Sequence, residues 1–396
     1  MIDYAGTRNQ ARARRAERAD AVAFVRRLDW LLLATVAGLV GYGLWAIDGI
    51  TRYSVEGDPG YFVARQGIAA AAGVAGMLVL MFVDPELYRR YRKVLYAGTT
   101  VLMVVVFALG EAARGSTRWI DVGPFVFQPS EFGKLFFVLA LAGFVTDRAR
   151  RLTRWRGVVS IVGLGLVPML LVFVQPDIGT TLVYAAALAA ILFVGGVRWP
   201  HLVVLGAIGA TGIVCALWVL PSLGVEVLRP YQTARQTGFT NPDRDPAGLT
   251  YNVTQSMTAV GSGGLDGRGV AGATQTRYDY VPEHQTDFVF ASFAEQRGFF
   301  GAAILLLLYL LVVWRGLRVI TLARDHYCAI VAGGIVVAFL FQVFVNVGMT
   351  MGIAPVTGIP LPFVTVGGSS MVANLLAIGV LQSIHARGNQ RRRIGR

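Results

Sequence analysis

The chain has 396 residues, 55% of them apolar and only 15% charged, with a mean hydropathy of +0.57. That balance excludes a soluble globular domain, because apolar runs of roughly 17–25 residues recur, the length that crosses a bilayer as helix. The net charge of +13 does not argue for nucleic acid, since the basic residues gather in short segments between apolar runs; no nucleic-acid partner is expected.

Residues 1–27 form an arginine-rich tail that leads straight into a long apolar run, so no cleavable signal is expected. Ten spans follow, near 28–48, 66–83, 94–110, 131–145, 158–175, 178–197, 201–220, 288–314, 328–349 and 366–384. They predict an all-α, polytopic integral membrane domain over 28–384, each helix satisfying its own backbone in lipid, and then a basic tail at 385–396. With the N-terminus inside, the inward segments hold 25 of the 36 lysines and arginines. This positive-inside asymmetry predicts a multi-pass protein with both termini cytoplasmic. The arginine groups at 89–92, 148–156 and 391–393 then anchor the topology on anionic membrane lipids.

The chemistry-bearing residues lie on the opposite, outward side. The segment 111–130 reads EAARGSTRWIDVGPFVFQPS and passes into a span as EFGKLFF, with Arg118, Glu131 and Lys134. Glu131 and Lys134 are three apart and share a helix face. A lysine at mid-span facing lipid would cost about 2.5–3.5 kcal/mol, so Lys134 is expected to pair with a carboxylate or face a polar cavity. In QPDIGTT, 175–181, Asp177 is placed to cap the next helix. Residues 221–287 form a 67-residue outward loop, the only long one, rich in aromatics and glycine. Residues 346–370 carry three prolines and five glycines, irregular backbone that membrane depth tolerates only inside protein or beside a watery cavity.

The long loop ends in YDYVPEHQTDFVF, 278–290, which sets Asp279, Glu283 and Asp287 just before an apolar helix. Carboxylates at such a mouth are costly and usually have a task. Cys215 and Cys328 fall in spans without metal spacing, and His201, His284, His326 and His385 form no ligand pattern.

Five segments together resemble the SEDS family (shape, elongation, division and sporulation): RWIDVGPFVFQPSEFGK (118–134), QPDIGTT (175–181), QSMTAVGSGGLDGRG (255–269), VPEHQTDFVF (281–290) and PVTGIPLPFVTVGGSS (355–370). The resemblance covers nearly the whole chain. GATQTRYDYVPEHQTDF, which contains Gln275, and PVTGIPLPFV look most like the elongation members, the RodA group. The resemblance implies a peptidoglycan glycosyltransferase of the bacterial cytoplasmic membrane that polymerises lipid II and releases undecaprenyl diphosphate. It also implies a class B penicillin-binding protein transpeptidase and other elongation-complex membrane proteins as partners. The family's essential aspartate falls on Asp287 and a second functional acidic position on Asp279. This chain departs in carrying Gln285-Thr286-Asp287, with His284 one position before the usual histidine, Glu295-Gln296-Arg297-Gly298 for Glu-Glu-Leu-Gly, and Val366 for a tyrosine.

Glycosyl transfer from a lipid diphosphate needs a base for the attacking hydroxyl, expected to be Asp287. It also needs tolerance of oxocarbenium-like charge and neutralisation of the departing diphosphate. Arg118 and Lys134 are the candidate cations. A divalent cation, Mg²⁺ or Mn²⁺, held by Asp279 and Glu283 with Glu131 nearby is the other route. Gln275, Ser369 and Ser370 complete the expected substrate contacts, and Tyr231 and Tyr251 are candidates to stack on sugar. Gly261–Gly264 and Gly367–Gly368 serve either as tight packing or as a phosphate cradle. A groove opening to the bilayer is expected for the lipid tails. The alternative reading is a lipid II flippase, against which stands the gathering of unusual residues on one face; a non-catalytic scaffold is the third.

Overall fold

A computed structural model describes residues 23–55, 57–113, 116–122, 125–224 and 249–394. The chain is a helical membrane bundle. In order, α1 is Trp30–Thr51, α2 Tyr61–Phe82, α3 the short Pro85–Arg90 and α4 Arg92–Leu109. After a small sheet come α5 Pro129–Asp147, α6 Trp155–Val174, α7 Ile178–Val194 and α8 Trp199–Val214. Then follow α9 Leu249–Ser262, α10 Val289–Leu322, α11 His326–Thr350 and α12 Gly368–Ile394. Seven of these are long and apolar enough to cross a membrane, and α7 and α8 are shorter apolar helices.

Two expected loops hold structure. Three strands, β1 Glu111–Ala113, β2 Ser116–Val122 and β3 Phe125–Phe127, form an antiparallel sheet. Inside the long loop, α9 turns the side chains of Ser256 and Ala259 inward, and the Ser256 hydroxyl donates to Thr350 O at 2.8 Å. Helical spacing of small and apolar residues lets this stretch pack against α10 and α11. The long loop's residues 225–248, with Tyr231, lie outside the described residues. Residues 385–394, read as a tail, continue α12, because Arg387 there donates to Phe82 O at 2.7 Å and bonds the Ser383 side chain.

The helices approach closely where side chains are small. A Cβ at Gly379 would meet Met77 O at 2.6 Å, and one at Gly73 would meet the α-carbon of Val372 at 3.2 Å. These glycines let α2 and α12 lie backbone to backbone, the usual membrane solution where lipid supplies no hydrophobic driving force. The arginine-rich end of the bundle is tied by ion pairs. Arg315 meets the buried Asp29 at 2.7 Å, Arg324 meets Asp84 at 3.1 Å and Arg92 meets Asp147.

Candidate active site

At the other end of the bundle the irregular segments meet. The segment 281–288 is stitched to 355–366 by main-chain groups. Val366 N donates to Gln285 O at 3.0 Å, and the Thr365 hydroxyl donates to Thr286 O at 3.0 Å. The Asn346 amide donates to Asp287 O at 3.0 Å and to Ile359 O at 2.8 Å. The carbonyl of Asp287 is therefore held from α11, and those of the two residues before it from the proline-rich segment. Its side chain is half-buried.

Asp279 and Glu283 both have left-handed backbone, with φ of 56° and 55°. Non-glycine residues keep such conformations only where the surroundings over-determine them. Glu283 takes the Thr286 hydroxyl at 2.8 Å, and its carbonyl accepts from Thr286 N at 3.0 Å and Phe288 N at 3.2 Å. The Asp279 side chain is 76% exposed and lies 3.4 Å from Nδ1 of the buried His284, whose Nε2 is 3.5 Å from Ser54 Oγ. Burial pushes the His284 imidazole below its ordinary value, with Asp279 and Glu283 opposing.

Lys134 binds both oxygens of Glu131, at 2.8 and 2.9 Å; their side chains are 12% and 1% exposed. The pair lines a cavity of about 50 Å³ with Gln342 and Asn374 and apolar walls. Of the two expected solutions for an intramembrane lysine, the carboxylate partner is present, and the cavity beside the pair is mainly apolar. Arg118 lies in β2, and its side chain is outside the described residues.

Ser369 acts as a clamp: its hydroxyl donates to Val126 O at 3.0 Å and accepts from Gln128 N at 3.0 Å. The Ser370 side chain accepts from Asn374 at 3.2 Å. The Ser369 hydroxyl has its donor and one lone pair engaged, whereas the Ser370 hydroxyl accepts one bond and keeps its proton to donate. Asp177 is a helix cap, accepting from Thr180 N at 3.0 Å and Thr180 Oγ1 at 2.9 Å. Gln275 donates its N–H to Glu295, while its side-chain oxygen is buried with no hydrogen-bond partner. Tyr251 is half-buried on α9.

The glycines pack. A Cβ at Gly263 or Gly267 would run into the backbone of α10 near Ala294 and Gln296. The N–H groups of Gly263, Gly267 and Gly367 are taken within the protein, by Ala259 O, Gly263 O and the Gln66 side chain. An apolar cavity of about 510 Å³ opens between α9 and α10, lined by Val260, Phe290, Ala294, Phe299 and Leu306. Phe290, which lines this groove, follows Asp287 by three residues in sequence.

Among the described residues, no three His, Cys, Asp or Glu gather as a metal site. Asp279 approaches His284 and Glu283 takes the Thr286 hydroxyl, and a cation held by two such carboxylates would need substrate phosphate and water to complete its shell. Asn346, Thr365 and Glu295 were missed as site residues by sequence reasoning. Glu295 carried the signal that flagged Lys134, a charged residue inside an apolar span.

The chain matches the model of the family described as Cell cycle protein (FtsW, RodA, SpoVE) over residues 26–390. It is 38% identical to Stage V sporulation protein E of Bacillus subtilis, over 89% of this chain and 94% of the relative. It is 34% identical to the Escherichia coli peptidoglycan glycosyltransferase MrdB, over 90% and 93%. Among solved structures it resembles a chain described under "Structural coordination of polymerization and crosslinking by a peptidoglycan synthase complex", with a TM-score of 0.78, 29% identity and coverage of 92% and 99%. It also resembles the crystal structure of Thermus thermophilus rod shape determining protein RodA, with a TM-score of 0.64, 26% identity and coverage of 90% and 96%.

Proposed function

The chain belongs to the SEDS family of FtsW, RodA and SpoVE and is a multi-pass peptidoglycan glycosyltransferase, and on that premise we propose that it polymerises lipid II for cell elongation with Asp287 as general base. The observation that supports this reading is that Asp287 stands just before α10, the helix whose Phe290 lines the apolar groove, with its carbonyl held by Asn346 of α11. The groove takes the lipid tails, and the carboxylate takes the proton of the attacking sugar hydroxyl. Such a base contributes a factor of about 10²–10⁴.

Asp279 and Glu283 stand beside the diphosphate in this reading. A divalent cation, Mg²⁺ or Mn²⁺, held by them and the substrate phosphates supplies positive charge for the leaving group. Lys134 and Arg118 supply the protein's own. Lys134 reaches phosphate by giving up Glu131, so binding and release exchange one anion for another. Gln275, Ser369 and Ser370 contact the sugars and phosphates around them.

The outward end faces away from the cytoplasm of a bacterial cytoplasmic membrane, with both termini and the arginine-rich end inside, against anionic lipid. A class B penicillin-binding protein cross-links the strand, and other elongation-complex membrane proteins assemble on the bundle. The complex in the first structural neighbour supports the transpeptidase, since that work describes polymerization and crosslinking in one assembly. The elongation role rests on the RodA-like motifs; the relatives include sporulation and elongation members at similar identity.

The test is to incubate the purified protein with lipid II, with and without a class B partner, and look for glycan ladders. Ladders lost in Asp287→Ala support the base. Ladders retained in that variant overturn it, and lipid scrambling without ladders in the parent favours a flippase.

A further inference from the structure

Helix α10 carries a charge where lipid-spanning helices seldom do. Glu295 is 0% exposed, three residues before Gly298, where φ of 65° and ψ of −165° break the helix. The break leaves helical N–H and C=O groups to be satisfied from elsewhere. Phe299 N donates to Gly264 O at 2.9 Å, Phe300 N donates to Leu265 O at 3.2 Å, and Arg268 N donates to Glu295 O at 2.9 Å. The glycine-rich segment 263–268 therefore closes the kink.

The Glu295 side chain holds a second segment. Its Oε1 accepts from Gln275 N at 2.8 Å, and its Oε2 accepts from Thr276 N at 2.9 Å and Thr276 Oγ1 at 2.7 Å. Two of these donors are backbone N–H groups, which cannot reverse roles. A glutamine would turn its NH₂ toward at least one of them, donor against donor. A buried carboxylate needs such donors in turn, or its desolvation goes uncompensated. The order passes along the chain: Gln275 O accepts Val281 N at 3.3 Å, and Thr276 O accepts Asp279 N at 3.4 Å. Asp279 needs that support, because its exposed side chain is approached by His284 at 3.4 Å with no shorter contact among the described residues, and its backbone is left-handed.

We infer that Glu295 is a positioning residue for the glycosyl transfer: its carboxylate binds the 275–276 backbone to the kink of α10 and thereby sets where Asp279 stands. This rests on the reading that Asp279 supports turnover.

The experiment pairs turnover of purified protein on lipid II with thiol labelling of Val281→Cys, after Cys215 and Cys328 are replaced by alanine. Val281 is fully buried, so a water-soluble maleimide reports release of the segment. In E295Q, kcat falls on the order of tenfold with KM nearly unchanged, and position 281 becomes labelled. E295D, still acceptor-only, regains part of both. In a D279N background E295Q adds less than about twofold, because the two act through one position. Should E295Q not be recovered from membranes, E295D labelling above the parent serves as the supporting result and protection as the overturning one. Unchanged labelling in E295Q overturns the inference, as does a full multiplicative loss in D279N. Unchanged turnover in D279N alone strikes the role given to Asp279, and labelling still decides whether Glu295 holds the segment.

Discussion

The side-chain amide of Asn346 donates to the main-chain carbonyl of Asp287 at 3.0 Å, across 59 positions of sequence. The same nitrogen reaches Ile359 O at 2.8 Å. One buried amide thus joins α11, the carboxylate-bearing turn and the proline-rich segment. Asn346→Ala leaves two carbonyls without this donor, at about 1–3 kcal/mol each where they stay buried. Turnover on lipid II is expected to fall while the protein still inserts. Asp287→Asn keeps these main-chain bonds and removes the charge, so it is expected to lose activity while the protein still inserts. Parallel melting and ladder assays on the two variants separate the effects.

Lys134→Ala strands the carboxylate of Glu131 at 1% exposure. Removing one partner of a buried pair costs about 3–5 kcal/mol. The melting temperature in detergent is expected to drop, and turnover to weaken. Removing both charges, as in Glu131→Gln with Lys134→Met, is expected to restore stability without restoring turnover. Full turnover in the double variant reduces the pair to a structural one.

Gly298→Ala places a Cβ against Leu265 O and Gly267 N on a residue with φ of 65°. The backbone strain alone is on the order of 1–3 kcal/mol. The variant is expected to loosen the 263–268 segment, seen as faster proteolysis there. Gly261→Ala, which meets open space, is expected to behave like the parent.

His284 gives a pH dependence whose sign is fixed. Burial holds the folded imidazole below its ordinary value, so the unfolded chain binds more protons between the folded value and about 6.5. Stability rises with pH wherever the unfolded state binds more protons. The contribution is complete above about pH 6.5 and is lost as the pH falls. His284→Gln is expected to flatten this limb of the melting curve against pH.

Chelation tests the cation. If substrate phosphate with Asp279 and Glu283 holds Mg²⁺ or Mn²⁺, EDTA is expected to suppress ladder formation and added Mg²⁺ or Mn²⁺ to restore it. Asp279→Asn is expected to need more of the ion for half-maximal turnover. Ladders indifferent to EDTA leave Lys134 and Arg118 as the charge on the leaving group.

The carboxylates and the ion pair were legible because membrane energetics makes every charge conspicuous along a hydropathy trace. Asp279, Glu283, Asp287, Glu131 and Lys134 stand out that way, and so do the spans themselves. The small sheet at 111–127 and helix α9 were not legible, because short polar stretches with mixed patterning do not declare a period.

By itself the sequence determined a polytopic helical protein of the SEDS family, with its unusual residues gathered in a few segments at span ends. Those properties are local: length, apolarity and motif order need no knowledge of neighbours. The tertiary structure alone decided that Asn346 holds Asp287, that glycines 263 and 267 seat a loop in the α10 kink, and that Glu295 binds the segment leading to Asp279. Each of these is a hydrogen bond or close contact between residues distant in sequence. Such partners are chosen by how helices pack, which a linear pattern of residue types does not specify.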